Sequence, residues 1–268
     1  MILYFSATGN TRWAAQRLSE ALDERLVNMA SMDVPTEKIV LAEGESLGIC
    51  FPVHGWRPSI LVREFIQQMN ISFEGEPYVW AVCTAGDNIG ETIDLLTSDL
   101  QQKGLTLSAS CSLIMPESYV GLPLMDVDKP AKELHKKQIA AEQLEAFIPI
   151  LKNREKGIHR LVRGRWSRIN SRLIGHYFLH HLITDRPFRV DAEKCIHCGL
   201  CAKVCPVDNI HNNDNGLPEW LHTGRCLTCF ACYHHCPKQA ISFGSRTKGK
   251  GQYFFNRNTD TPDSPLEK

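Results

Sequence analysis

The sequence predicts an α/β domain built on a parallel sheet, followed by a smaller α+β domain. Three observations lead to this prediction. From residue 1 to 152, short apolar runs alternate with stretches of helical periodicity, which is typical of parallel strands joined by crossover helices. A basic segment, 153–187, then acts as a connector. Residues 188–245 contain one cysteine pattern twice, and a polar tail, 246–268, follows for which we expect disorder.

The charges are unevenly distributed along the 268 residues, although the formal net charge is zero. Residues 1–150 carry 11 Lys and Arg against 20 Asp and Glu, whereas residues 151–190 carry 10 against 2. No nucleic-acid recognition motif accompanies the arginines of the basic segment. We therefore do not expect a nucleic acid as a partner.

The chain has eleven cysteines, and their arrangement indicates whether the protein belongs to an oxidising or a reducing cellular compartment. Eight belong to the repeated pattern, and Cys50, Cys83 and Cys111 each lie in an apolar, strand-like run where we expect a small buried side chain. The N-terminus lacks a basic stretch followed by an apolar one, and no apolar run reaches the ~18 residues of a membrane helix. These features predict a cytoplasmic protein without a transmembrane segment.

Five strands and four helices are predicted in the first 152 residues. The apolar strand runs are Met1–Phe5, a weaker one near Arg25–Met29, Ser46–Phe51, Tyr78–Thr84 and Leu105–Met115. The helical stretches are Arg12–Leu22, Ser59–Met69, one from the Ala85–Asn88 loop to Gln102, and Lys129–Leu151.

The loop from Ser6 to Thr11 joins the first strand to the first helix. Backbone N–H groups at a helix N-terminus bind anions, and Gly9 permits close approach of the backbone, so this loop predicts a phosphate site. A plain helix cap is the alternative. The nucleotide-binding pattern G-x4-G-K-[ST] and the dinucleotide pattern G-x-G-x-x-G are both missing.

Residues 6–11 match the form [ST]-x-T-G-N-T. Through this loop the segment 1–152 resembles the flavodoxin family. The resemblance implies a doubly wound five-stranded sheet of order 2-1-3-4-5 that binds FMN at its carboxyl edge. The implied phosphate-binding residues are Ser6, Thr8, Gly9, Asn10 and Thr11. The implied flavin-ring loops are Pro52, Val53, His54, Gly55 and Trp56, and Thr84, Ala85, Gly86 and Asp87.

Individual roles in the ring loops stay open from sequence. Trp56 either stacks on the flavin ring or covers the domain surface. His54 either bonds the flavin or is a polar surface residue, and Tyr119, after the last strand, either covers the flavin edge or packs in its loop. The sequence His-Gly-Trp-Arg-Pro at residues 54–58 differs from the corresponding loop of short-chain flavodoxins.

The cysteine pattern reads C-x2-C-x2-C-x3-C-P in both copies, and each cysteine recurs 31 positions later. This is the bacterial run for paired [4Fe–4S] clusters. A zinc ribbon needs paired C-x2-C units, and a disulfide framework needs an exported chain, so both fit less well. The copies are Cys195, Cys198, Cys201 and Cys205, and Cys226, Cys229, Cys232 and Cys236.

Residues 188–245 thus resemble a bacterial two-cluster ferredoxin. In that family the fourth cysteine of each run ligates the other cluster. The resemblance implies one cluster on Cys195, Cys198, Cys201 and Cys236, and a second on Cys226, Cys229, Cys232 and Cys205.

The connector predicts a basic amphipathic helix, because apolar residues recur at helical spacing between five arginines. Three interpretations compete: packing across the acidic first domain, which we favour, docking of an acidic redox partner, or peripheral membrane contact through residues 152–174. His176 and His180 have the spacing of a metal pair, but two ligands are few, and interface histidines are the better interpretation.

The whole pattern resembles fused flavodoxin–ferredoxin proteins, which implies electron transfer between two [4Fe–4S] clusters and FMN for a partner oxidoreductase. An FMN-dependent reductase or dehydrogenase of a quinone-like or porphyrinogen-like molecule is the alternative. No catalytic residue is assigned. A third hypothesis is a cluster protein whose first domain is an empty scaffold.

Overall fold

A computed structural model describes residues 1–33 and 36–257 of the chain. Its first part is a parallel sheet between helices. The strands are β1 (Ile2–Tyr4), β2 (Leu26–Asn28), β3 (Lys38–Leu41), β4 (Ser46–His54), β5 (Arg57–Pro58), β6 (Asn70–Phe73), β7 (Tyr78–Ala85), β8 (Leu107–Ile114) and β9 (Ile158–Arg160). The helices are α1 (Asn10–Leu22), α2 (Ile60–Gln68), α3 (Thr92–Gln101) and α4 (Pro130–Lys152), with a 3-10 turn at Met29–Ser31.

The central sheet has the order β2-β1-β4-β7-β8-β9, and all neighbours along it are parallel. Its first five strands give the predicted 2-1-3-4-5 order, so the flavodoxin-like fold class is confirmed. Helices cover both faces of the sheet, which is why β7 is buried along its whole length and reads as one apolar run. Cys50, Cys83 and Cys111 are buried in this sheet, as predicted.

Two features of the sheet were not predicted. Strand β9 extends the edge beyond β8, and β3 pairs in parallel with β6 outside the central sheet. Both involve strands of three or four residues with exposed or polar positions, whose alternation is too short to recognise.

The connector differs from the single amphipathic helix predicted for it. Its first part, 158–160, is strand β9. Helical structure then runs through 167–182, in which two α-helical turns, α5 (Ser167–Ile169) and α6 (Gly175–Tyr177), alternate with π-helical turns at Asn170–Ile174 and Phe178–Leu182. We call residues 167–182 the connector helix.

The ferredoxin-like part is a small α+β unit, as predicted. Its elements are β10 (Phe188–Val190), α7 (Leu200–Lys203), β11 (Ile210–Asn212), β12 (Pro218–Trp220), α8 (Ala231–His234), β13 (Ile241–Phe243) and a 3-10 turn at Gly244–Thr247. Strand β10 pairs antiparallel with β13, and β11 with β12. Its core of aromatic side chains also includes Val120 from the first domain, so the two domains pack together.

The tail differs from the disorder expected from residue 246. Residues 250–257, which we call the strap, return to the first domain: Phe255 donates its N–H to Thr8 O at 2.9 Å and its ring stacks on Trp13. Tyr253 is buried. Residues 258–268 lie outside the described part. Among the described residues, none of the helices is both long and apolar enough to span a bilayer.

Candidate functional site

A cavity of about 270 Å³ opens at the carboxyl ends of β1, β4 and β7. The polypeptide turns away from the sheet at these ends, so the three loops that follow the strands meet there. The three loops that the sequence singled out therefore form one site. The predicted residues that line it are Ser6, Thr8, Asn10, Thr11, Pro52, Val53, His54, Gly55, Trp56, Thr84, Ala85, Gly86 and Asp87.

Gly9 is the predicted residue outside this lining. It has φ +96°, and a Cβ there would lie 2.8 Å from Phe255 Cβ, so only glycine fits beneath the strap. The strap thus holds the loop from its outer side, and the cavity lies on the inner side.

The start of α1 fits an anion. Its first intrahelical bond runs from Trp13 N–H to Gly9 O at 2.9 Å, and amides before that point have no partner within a helix. The first turn contains Arg12 and no acidic residue. Helix dipole and amides together suit a phosphate group.

Two predicted phosphate donors have a structural role. Thr11 Oγ1 hydrogen-bonds Thr84 Oγ1 at 2.8 Å and ties two cavity loops together. Asn10 donates from Nδ2 to Pro116 O at 3.1 Å, while its Oδ1 accepts from the Tyr253 hydroxyl at 2.6 Å. These bonds set the shape of the loop, and the backbone amides remain its main anion donors.

The connector helix holds the second loop in place. The fully buried Ser171 donates from Oγ to Trp56 O at 2.8 Å and accepts from Glu91 N–H at 2.7 Å. Trp56 has φ +59°, a left-handed conformation that this bond helps to maintain. Gly175 lies so close to Gly55 O that a side chain there would collide with it.

His54 and Glu117 are two of the titratable side chains that line the cavity. Loss of solvent lowers the pKa of His54 to about 4, so its imidazole is neutral near pH 7. Burial raises the pKa of Glu117, although its carboxylate accepts N–H bonds from Ser118 and Tyr119 at 2.9 and 2.8 Å. His54 was singled out from sequence, whereas Glu117 was seen only as part of the loop after β8.

Part of the lining comes from outside the first domain, which sequence reasoning missed. Phe178 of the connector helix and three residues of the ferredoxin-like part, Leu227, Thr228 and Cys229, face the same cavity. Nothing in the sequence marks Phe178 as a cavity residue. The position of Cys229 in the second cysteine run is a signal that could have indicated a contribution of the ferredoxin-like part to the cavity. Further lining residues are Ala7, Asn88, Pro116, Ser118, Tyr119, Leu122 and Met125.

The eight motif cysteines fall into two groups of four. We call the first group site one: Cys195, Cys198, Cys201 and Cys236 line one small cavity. Site two comprises Cys205, Cys226, Cys229 and Cys232, which line another. The structure therefore groups the fourth cysteine of each run with the first three of the other run.

The chemistry of both groups fits iron–sulfur clusters. Burial, together with the neighbouring Cys226 and Cys205, raises the pKa of Cys229 to about 12. Such crowded thiols become thiolates when a cation binds them. Backbone N–H groups point at three sulfurs: Asn209 to Cys205, Thr228 to Cys226 and Ala240 to Cys236, at 3.3 to 3.4 Å. Bonds of this kind help set a cluster's potential.

The two domains are bonded together next to these sites. The buried His234 of α8 contacts Ser118 O through Nε2 at 2.7 Å and accepts the N–H of Tyr253 on Nδ1 at 3.1 Å. Its Nε2 therefore carries the proton. The hydroxyl of the same Tyr253 reaches Asn10, so one chain of bonds joins α8, the strap and the α1 loop.

Comparisons with known proteins identify the second domain. A family model described as a 4Fe-4S dicluster domain matches residues 188–237. A ferredoxin of Pyrobaculum islandicum is 32% identical over 79 residues, which cover 28% of this chain and 72% of that protein. The chain belongs to the ferredoxin family through this region, which is an iron–sulfur electron-transfer domain.

A second relative is a subunit of a larger enzyme. The pyruvate synthase subunit PorD of Methanocaldococcus jannaschii is 36% identical over 61 residues, covering 22% of this chain and 70% of that subunit. Two other curated relatives are matched over only 22% and 34% of their own length. The shared region is thus the cluster domain.

Solved structures also align with the first domain. The alignment with the Trp repressor binding protein from Bacillus subtilis covers 54% of this chain and 96% of the Bacillus protein. The sequence identity is 14% and the TM-score is 0.33. The assignment of the fold rests on the strand order described above.

Proposed function

We propose that this chain is an electron-transfer protein that connects two [4Fe–4S] clusters with FMN on behalf of a partner oxidoreductase. The observation that carries the proposal is that Cys229 belongs to site two and also lines the cavity of the first domain. One residue therefore borders both sites. Clusters exchange single electrons, whereas a flavin exchanges one or two.

The proposed cofactor-binding residues follow from the geometry. The amides at the start of α1 hold the phosphate of FMN, and the loops 52–56 and 84–87 hold its ring. Sites one and two each hold one cluster through their four cysteines. The side chains of Phe178, Leu227 and Thr228 line the cavity beside Cys229.

Site one is the proposed port for a partner. Cys198 is exposed, and the neighbouring Ile196 and His197 are exposed as well, whereas Cys205 and Cys232 of site two are buried. A partner can approach site one from solvent, while site two faces the cavity. The PorD relative is itself a subunit of a pyruvate synthase, which supports a partner enzyme for this chain.

A reductase acting on a small molecule is the second candidate. The observation in its favour is that Glu117 and His54, which can exchange protons, line the cavity. A two-electron reduction of a quinone-like substrate needs protons as well as electrons. The presence of Leu227, Thr228 and Cys229 in the lining favours the carrier, because it brings site two next to the cavity.

Chemical analysis and turnover test the two candidates. Protein isolated without oxygen should contain about eight irons, about eight acid-labile sulfides and about one FMN per chain. Iron without flavin would overturn both candidates. With flavin present, fast and saturable reduction of a soluble quinone by the isolated chain would favour the reductase, and slow, unsaturable reduction the carrier.

A further inference from the structure

The outer face of the connector helix is apolar although it lies in solvent. Six of the twelve large apolar side chains that are exposed in the described chain fall between residues 162 and 177. Trp166, Ile169, Leu173 and Tyr177 are spaced by three or four positions, so they form one row along the helix. We call them the apolar row; Leu173 is 70% exposed, and Trp166 and Tyr177 are each 57% exposed.

The fold uses the opposite face of this helix. Ser171, Gly175 and Phe178 are buried against the first domain, where they contact the loop of Gly55 and Trp56. Small residues on this inner face allow the close approach.

A second row, of cationic side chains, runs beside the apolar row. Arg165, Arg168 and Arg172 lie one position before Trp166, Ile169 and Leu173. Arg168 is 83% exposed at its side chain, and Arg172 is 70% exposed. Residues 158–184 contain five arginines and no Asp or Glu.

The first domain neutralises only part of this charge. Arg172 and Arg168 pair with Glu91, and Arg163 pairs with Asp94. Two carboxylates thus pair with three arginines, and Arg165 lies over the ring of Trp166. The face stays positive next to an apolar row with aromatic residues at both ends.

These properties fit the surface of an anionic lipid bilayer. A helix lying in the interface inserts an apolar row below the headgroups, places Trp and Tyr at headgroup level and pairs its arginines with lipid phosphates. A second copy of this chain fits less well, because a two-fold pair of these faces would bring arginines of both copies together.

We propose that the apolar row and its arginines bind the chain peripherally to membranes that contain anionic lipid. Because Phe178 faces the cavity from the opposite side of the same helix, the connector helix would lie between that cavity and the bilayer. This proposal does not depend on which cofactors the cavity and the cysteines hold.

Vesicle flotation of the full chain tests the proposal. The probe is a set of phosphatidylcholine vesicles with and without about one third phosphatidylglycerol. We expect flotation with the anionic vesicles, loss of flotation at about 1 M salt, and little flotation with the neutral vesicles. Equal binding to both vesicle types, or binding to neither, would overturn the proposal.

Matched variants locate the binding face. Leu173→Ser should weaken vesicle partitioning by at least about tenfold, since a buried Leu side chain contributes that much or more. Leu134→Ser is the control, because Leu134 is 58% exposed on α4, away from the connector helix. Equal effects of the two changes, or no effect of Leu173→Ser, would contradict the proposed face.

An arginine double variant and a measurement of the oligomeric state complete the test. The double variant Arg165→Gln, Arg168→Gln should reduce binding to anionic vesicles without changing the sedimentation of the free protein. If the wild-type chain instead sediments as a dimer that Leu173→Ser dissociates, the face binds a second copy and the membrane proposal is wrong.

Discussion

Sites one and two use the same cysteine pattern in different surroundings. In site one, Cys198 is exposed and none of the four cysteines is fully buried. In site two, Cys205 and Cys232 are buried, and Cys229 borders the cavity of the first domain. The repeat alone makes the sites equivalent, so their difference comes from what packs against each of them.

This difference suggests a division of roles. Solvent reaches site one, whereas the first domain, the connector helix and the loop 116–125 surround site two and its cavity. A cluster in a buried site also experiences a lower dielectric, which changes its potential. We therefore expect site one to exchange electrons with partners and site two to exchange them with the cavity.

Replacing the fourth cysteine of either run should change the two cluster sites most. Cys205→Ser should remove the cluster of site two, and Cys236→Ser that of site one, so that iron falls from about eight to about four per chain in either variant. The two variants differ in which cluster remains. In Cys236→Ser the EPR signal of the remaining cluster should be poorly accessible to a soluble relaxation agent, and in Cys205→Ser it should be accessible.

The reverse accessibility in these variants would contradict the grouping of the cysteines. Loss of all iron in one variant would instead show that the domain needs both clusters to fold. Circular dichroism of the full chain would distinguish unfolding of the ferredoxin-like domain from the loss of one cluster by a folded domain.

A change beneath the strap should have the next largest effect. Gly9→Val forces a β-branched residue into a left-handed conformation and drives its Cβ against Phe255. We expect the dissociation constant of FMN to rise by at least about tenfold in a fluorescence-quenching titration, while site one is unchanged.

Gly75→Val is the matched control for Gly9→Val. Gly75 also has positive φ, +66°, but a Cβ there would meet nothing within 4 Å. The control should bind FMN like the wild type despite its backbone strain. Equal weakening in both variants would show that strain in general, and not the α1 loop, controls flavin binding.

A smaller effect is expected where the connector helix meets the cavity. Ser171→Ala leaves Trp56 O and Glu91 N–H without their partner, at a cost of about 1–3 kcal/mol in the free energy of unfolding. Ser167→Ala, in the first turn of the same helix, should change it by less than about 0.5 kcal/mol. Denaturant titration measures both, and similar values would mean that Ser171 does not hold the loop.

Local patterns were sufficient to predict much of the fold and of the sites. The apolar runs located the five main strands, because strands buried on both faces are apolar throughout. The resemblance to flavodoxins gave their order in the sheet. The spacing of the cysteines gave the two runs, the resemblance to two-cluster ferredoxins gave the two groups of four, and the loop Ser6–Thr11 gave one end of the cavity. Each of these signals lies within a short stretch of chain.

Long-range contacts could not be predicted in this way. Phe178 and Cys229 reach the cavity only through the docking of the connector helix and α8, which depends on Ser171 and His234 bonding to distant backbone atoms. The inner face of the connector helix could not be assigned from sequence, because small residues at Ser171 and Gly175 give no apolar signal. The strap was missed because Tyr253 and Phe255 lie in a polar stretch.

The central claim is that the cavity and site two exchange electrons within one chain. Its most direct test reduces the clusters with a short pulse of a one-electron donor and follows flavin absorbance at several protein concentrations. Intrachain transfer predicts a rate constant that stays the same over about a hundredfold range of concentration. A rate proportional to protein concentration would contradict the claim, because it would mean that electrons pass between two chains.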